Sequence, residues 1–137
     1  MKRKAFAVLA LAALLVGVVA VSALGRGDQA ATSANVNMRG APPNFSFQGV
    51  PKDFRAGTVR FTVRNTSSGQ VRHNFIVYRL SSNGNRMTRV FGSRTLPAGE
   101  RQTFSRRLSA GTYIALCTVG NGFHAAHRMV SAFQVAR

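Results

Sequence analysis

Cysteine occurs once in this chain, at position 117, and tryptophan does not occur at all. A lone cysteine rules out an internal disulfide, so no covalent staple can hold the fold. Acidic residues are nearly as scarce. Asp28, Asp53 and Glu100 are the only three, against 19 Lys and Arg. So few carboxylates exclude paired-carboxylate acid–base chemistry. The cations are almost all Arg and are scattered, without the stripe and interleaved aromatics of a nucleic-acid groove. They describe a solvated basic surface, or one that steers toward an acidic partner or anionic surface with a strength that falls with salt.

The N-terminus differs from the rest. Lys2, Arg3 and Lys4 precede an almost wholly apolar run from Ala5 to Leu24, which contains the small-residue triplet Val21-Ser22-Ala23. A charged start, an apolar middle and small residues at the end describe a secretory signal, with cleavage expected after Ala23. The run, residues 5–24, is also long enough to span a bilayer, so an uncleaved anchor that associates the protein with a membrane is the rival reading. Both place the remainder outside the cytoplasm: periplasmic, extracellular, or anchored and facing outward. No cysteine follows the run directly, which excludes an N-terminal lipid on that side chain.

Residues 24–137 are enough for one small domain with one core. Without the three leading cations they keep 16 Lys and Arg against three acids, a net charge of +13. Residues 24–41 are small and polar and read as a flexible tether, with the domain proper over 42–137. In Thr58–Asn65, Val59, Phe61 and Val63 alternate with Thr58, Arg60, Thr62 and Arg64, the period of a half-buried strand. Comparable short runs occur at Asn44–Val50, Asn74–Leu80, Met87–Phe91, Arg101–Leu108, Thr112–Cys117 and Met129–Val135. Asn83-Gly84 between two of them is a hairpin signal. Seven or so short strands with frequent turns predict an all-β antiparallel Greek-key sandwich or barrel with little helix. In LSAGTY, Tyr113 enters a strand just after a glycine turn, as in a tyrosine corner whose hydroxyl bonds back to the backbone.

The chemistry-bearing residues gather near the C-terminus. CTVGNGFHAAHRM holds Cys117, His124, His127 and Met129, while His73 stands upstream in VRHNFIV. A thiolate, two imidazoles and a weak axial thioether form the ligand set of blue-copper electron-transfer sites. Thiolate is a soft, covalent ligand, imidazole suits both Cu(I) and Cu(II), and a distant polarizable thioether tunes the potential. Cys117 closes a strand, a loop with Gly120 and Gly122 follows, and Met129 opens the last strand. The loop can therefore bring His124 and Met129 around the metal held by Cys117. His127, only two residues before Met129, leaves little room for both to reach one ion, so His124 is preferred and His127 is a surface or proton-linked neighbour.

Ala56 to Val135 resembles the cupredoxin family of the plastocyanin and azurin type. AGTVRFTVRNTSSGQVRHNFIV is similar to the family's strand, turn and first-ligand segment. LPAGERQTFSRRLSAGTYIALCTV is similar to the approach to its ligand cysteine, and HAAHRM to its His-four-residues-Met ending. The resemblance implies one copper ion, Cu(I) or Cu(II), held by His73, Cys117, His124 and Met129. It also implies that Asn74 and Thr118 tie the two ligand segments together. The implied role is an electron carrier, not an enzyme. Its partners would be redox proteins, acidic ones among them, docking as to a monomer at the exposed edge of His124 beside Gly122 and Phe123. The pattern departs in one place: six residues separate Cys117 from His124, where the family commonly has two or four, often with proline.

Other chemistries fit less well. Structural zinc wants four strong Cys/His ligands at close spacing. A Cys–His nucleophile lacks a clear orienting third group. Two further readings stay open: a copper carrier on the same fold, favoured by a loose ligand loop, and a metal-free module whose basic face binds acidic polymers.

Overall fold

The computed structural model describes residues 32–137; the segment read as a signal or anchor, and residues 24–31 of the expected tether, lie outside them. Nine strands follow in order: β1 (Thr32–Ala41), β2 (Asn44–Gln48), β3 (Asp53–Arg55), β4 (Gly57–Asn65), β5 (Ile76–Leu80), β6 (Met87–Gly92), β7 (Arg101–Leu108), β8 (Gly111–Leu116) and β9 (Val130–Ala136). A single helical turn, α1 (Phe123–Ala126), interrupts the last connection. One sheet has the order β2-β1-β4-β7 and the other β3-β9-β8-β5-β6. The expected sandwich is present, though not wholly antiparallel: β1 pairs parallel with β4, and β3 parallel with β9.

The alternation in β4 works as its sequence requires. Val59, Phe61 and Val63 are fully buried, while Thr58, Arg60 and Arg64 face solvent. Phe61 lies at the centre of an aromatic group, within 6.0 Å centroid distance of Phe54, Phe75, Phe91 and Phe104. Burying such side chains stabilises by about 1.5–3 kcal/mol each, so these rings are a main source of cohesion between the sheets. At the end remote from the ligand segments the Tyr113 hydroxyl donates to the Ser109 carbonyl at 2.8 Å, forming the expected corner. The Tyr113 ring stacks on Phe133 at 5.3 Å. Asn83-Gly84 does sit in the β5–β6 connection, where Asn83 Oδ1 accepts from Ser81 Oγ and the Asn85 N–H.

The tether expectation fails over residues 32–41, which form the longest strand of the fold. Ala34, Val36 and Met38 point into the core and Ser33, Asn35, Asn37 and Arg39 point out. The period of two was present, but small and amide residues made it look like linker. The domain therefore begins by Thr32, not at Pro42.

Candidate metal centre

Three chain segments converge at one pole of the sandwich. His73 lies in the approach to β5, fixed by paired backbone bonds with Leu96: His73 N–H to the Leu96 carbonyl at 3.1 Å, and Leu96 N–H back at 2.7 Å. Cys117 is the residue after β8, and its N–H donates to the Met129 carbonyl at 3.2 Å. His124 lies in α1. There Gly122 N–H donates to the Thr118 carbonyl, Phe123 N–H to Gly120, and Met129 N–H to the His124 carbonyl. Gly120 and Gly122 take positive φ of 67° and 87°, which glycine adopts without strain. The residues between Cys117 and His124 thus close two tight turns that lead into α1, a feature the spacing alone did not show.

The side chains meet closely. His73 Nδ1 and His124 Nδ1 are 3.1 Å apart, and Cys117 Sγ lies 3.4 Å from His124 Nδ1 and 3.9 Å from His73 Nδ1. The three donor atoms fall within 4.8 Å of one another, and all three residues are buried. Met129, fully buried, is tied to this group through its backbone bonds to Cys117 and His124. His127 stays out of the cluster; its Nδ1 bonds to the Phe123 carbonyl at 2.9 Å and its ring packs on Phe123.

Asn74 joins the ligand segments. Its Oδ1 accepts from the Thr118 N–H at 2.8 Å and its Nδ2 donates to Thr118 Oγ1 at 2.8 Å. Its own N–H points at Cys117 Sγ at 3.4 Å. A donor on the sulfur favours the thiolate, yet burial dominates and raises the Cys117 pKa above its ordinary value. Burial likewise lowers His73, to about 4, with the nearby His124 acting in the same direction. His124 is lowered by burial and then by His127. Without a metal the cluster therefore rests as neutral imidazoles and a thiol. A cation that replaces the thiol proton would meet neutral imidazoles, and its binding would release that proton.

Two contributors carry no ligand chemistry and were not legible in the sequence. Ser67 Oγ donates to the Gly40 carbonyl at 3.1 Å and lies 2.8 Å from His73 Nε2. With its proton committed to Gly40, the hydroxyl accepts from Nε2–H, so His73 keeps a bare Nδ1 facing Cys117 and His124. Gly40 itself has φ 114°, and a Cβ there would collide with the Asn44 backbone. Phe45 stacks on His124 with centroids 4.0 Å apart and meets His73 edge-on at 5.7 Å. That ring corrects the expectation of an exposed His124 edge: His124 is only 8% exposed, and Phe123 at 45% is the apolar side chain facing solvent there. Gly122 beside it is half-buried.

No family model matches the chain, and no curated protein matches it by sequence. Solved structures do match. Dithionite-reduced auracyanin from the photosynthetic bacterium Roseiflexus castenholzii is 20% identical with TM-score 0.58, covering 77% of this chain and 99% of that one. Rusticyanin from Thiobacillus ferrooxidans is 22% identical with TM-score 0.53, covering 76% and 77%. A multi-copper oxidase from Pediococcus acidilactici matches 79% of this chain with 27% of its own, at 14% identity and TM-score 0.59. The fold is the cupredoxin-like β-sandwich. Its candidate metal centre is the buried trio His73, Cys117 and His124.

Proposed function

We propose that this chain is an exported blue copper protein that carries single electrons between redox partners. The observation that carries the reading is the convergence of His73 Nδ1, Cys117 Sγ and His124 Nδ1, from segments up to 51 residues apart, into one buried cluster. Two imidazoles and one sulfur fit copper better than structural zinc, which closes with four strong ligands. Bound copper would supply a one-electron couple between Cu(I) and Cu(II). Met129, buried and bonded through its backbone to Cys117 and His124, would be the fourth, weaker ligand.

The chain's own residues do the rest. The Asn74–Thr118 bonds fix the separation of the His73 and Cys117 segments, and the Ser67 relay fixes the His73 ring. Phe45 excludes water from one face of His124. A site held this way changes shape little on gaining or losing an electron, which keeps the reorganisation cost low. The braced turn of α1 favours such a shuttle over a carrier that must release its metal. Phe123 and Gly122 are the surface at which a redox partner would dock. The charged start and apolar run of residues 2–24 support export.

The test is optical. Addition of Cu(II) to the metal-free protein produces intense visible absorption from thiolate-to-copper charge transfer, reversible through redox cycles without metal loss. Absence of that band, or its persistence in Cys117→Ser, refutes the assignment.

A further inference from the structure

The outer face of the β2-β1-β4-β7 sheet is polar and rich in arginine. Register places Arg60 of β4 beside Ser33 of β1 and Ser105 of β7, and Arg64 beside Asn37 and Arg101. Thr58 opposes Arg107, and the Thr62 and Thr103 hydroxyls meet at 3.1 Å, which confirms that these side chains share one face. On β1, Arg39 opposes Ser46 of β2. Five exposed arginines (39, 60, 64, 101 and 107) therefore stand on a face made mostly of Ser, Thr, Asn and Gln. It carries no acidic side chain and, apart from Ala41 at the end of β1, no apolar one. Among the described residues the one ion pair, Arg94–Glu100, does not include any of these five.

Arg64 and Arg101 are direct cross-strand partners of like charge, an arrangement that is destabilising unless an anion intervenes. Guanidinium forks among hydroxyls are the donors that grip phosphate oxygens, often two at a time. The face is an open sheet, so it offers no groove to a nucleic-acid strand and no aromatic on which a base could stack. It also lacks the aromatic anchors that give a protein interface its affinity. What remains complementary is a broad surface of anionic phosphates.

The sequence that precedes Thr32 points the same way. Thr32, the first residue of β1, lies in this sheet, and seven residues, 25–31, separate it from the apolar run that ends at Leu24. Seven residues reach at most roughly 25 Å. Wherever that run is held in a bilayer, the arginine face is held within reach of the headgroups.

We propose that this face docks on an anionic phospholipid surface through the phosphate groups of its lipids. The inference does not rest on copper. Each arginine near such a surface contributes about fivefold in binding, fading with salt.

Arginine footprinting tests it: the full chain, metal-free, is treated with phenylglyoxal on vesicles of phosphatidylcholine alone or with phosphatidylglycerol, and modification is read by mass spectrometry. The comparison of lipids holds whether or not the apolar run inserts. We expect Arg60, Arg64, Arg101 and Arg107 to be protected severalfold by phosphatidylglycerol, the protection to vanish at high salt, and Arg86 and Arg89 near and on β6 to react equally throughout. Equal reactivity on the two lipids overturns the proposal. So does protection spread evenly over all arginines, or protection by duplex DNA but not by lipid.

Discussion

Ser67 Oγ sits 2.8 Å from His73 Nε2 and donates its own hydrogen bond to the Gly40 carbonyl. A hydroxyl between a ring and a β-strand thus decides which nitrogen of His73 is free. Substitution Ser67→Ala leaves Nε2–H without its acceptor and frees the ring to rotate or change tautomer. Loss of such an outer hydrogen bond typically weakens metal binding about 10–100-fold. Competition with a copper chelator of known affinity measures it, and Ser67→Thr should restore most of the loss. Imidazole nitrogen shifts of the metal-free protein should report the tautomer change; unchanged shifts in Ser67→Ala would refute the relay.

Phe45 both packs in the core and roofs His124. Phe45→Ala should cost about 3–5 kcal/mol in denaturant unfolding, the usual loss for a large buried ring. It should also open His124 to solvent, seen as faster deuteration of the imidazole carbon. Phe45→Leu should recover stability more than protection, because a branched alkyl fills volume but does not stack.

Asn74 is predicted to matter through both ends of its amide. Asn74→Ala removes two 2.8 Å bonds to Thr118 and leaves a partly buried N–H and hydroxyl without partners. The expected destabilisation is about 1–3 kcal/mol, together with a shift in the charge-transfer band as the Cys117 segment moves.

Acid should destabilise the metal-free protein in a defined window. His73 titrates near 4 when folded and near 6.5 when unfolded, so between these values the unfolded chain binds more protons. Stability is fully present above about 6.5, falls as the pH drops toward 4, and levels off below it as far as this group is concerned. The loss from His73 is about 3 kcal/mol, and His124 adds in the same direction. Unfolding midpoints measured from pH 4 to 7.5 check this. A flat profile would mean that His73 is not held neutral by burial.

Much of this was written in the residues. The alternation of β4, the Asn83-Gly84 turn and the Tyr113 corner are local signals, and each was legible because neighbours in sequence decide it. β3 is three residues long, too short for any period to show. The parallel pairings of β1 with β4 and β3 with β9 depend on which distant strand completes a sheet edge, which no local pattern encodes. At the metal centre, spacing and side-chain type pointed to His73, Cys117 and His124. Ser67 and Phe45 could not be found that way, since a serine in a turn and a phenylalanine in a strand carry no mark of what they will touch.

The first strand of the described fold has a practical consequence. A chain begun at Pro42 would lack the strand that β2 and β4 both hydrogen-bond, leaving β4 with an unpaired backbone edge and uncovering the core beside Val59, Phe61 and Val63. It would also delete the Gly40 carbonyl. Such a truncation should express as aggregate, and any soluble fraction should hold copper poorly, although every ligand is still encoded.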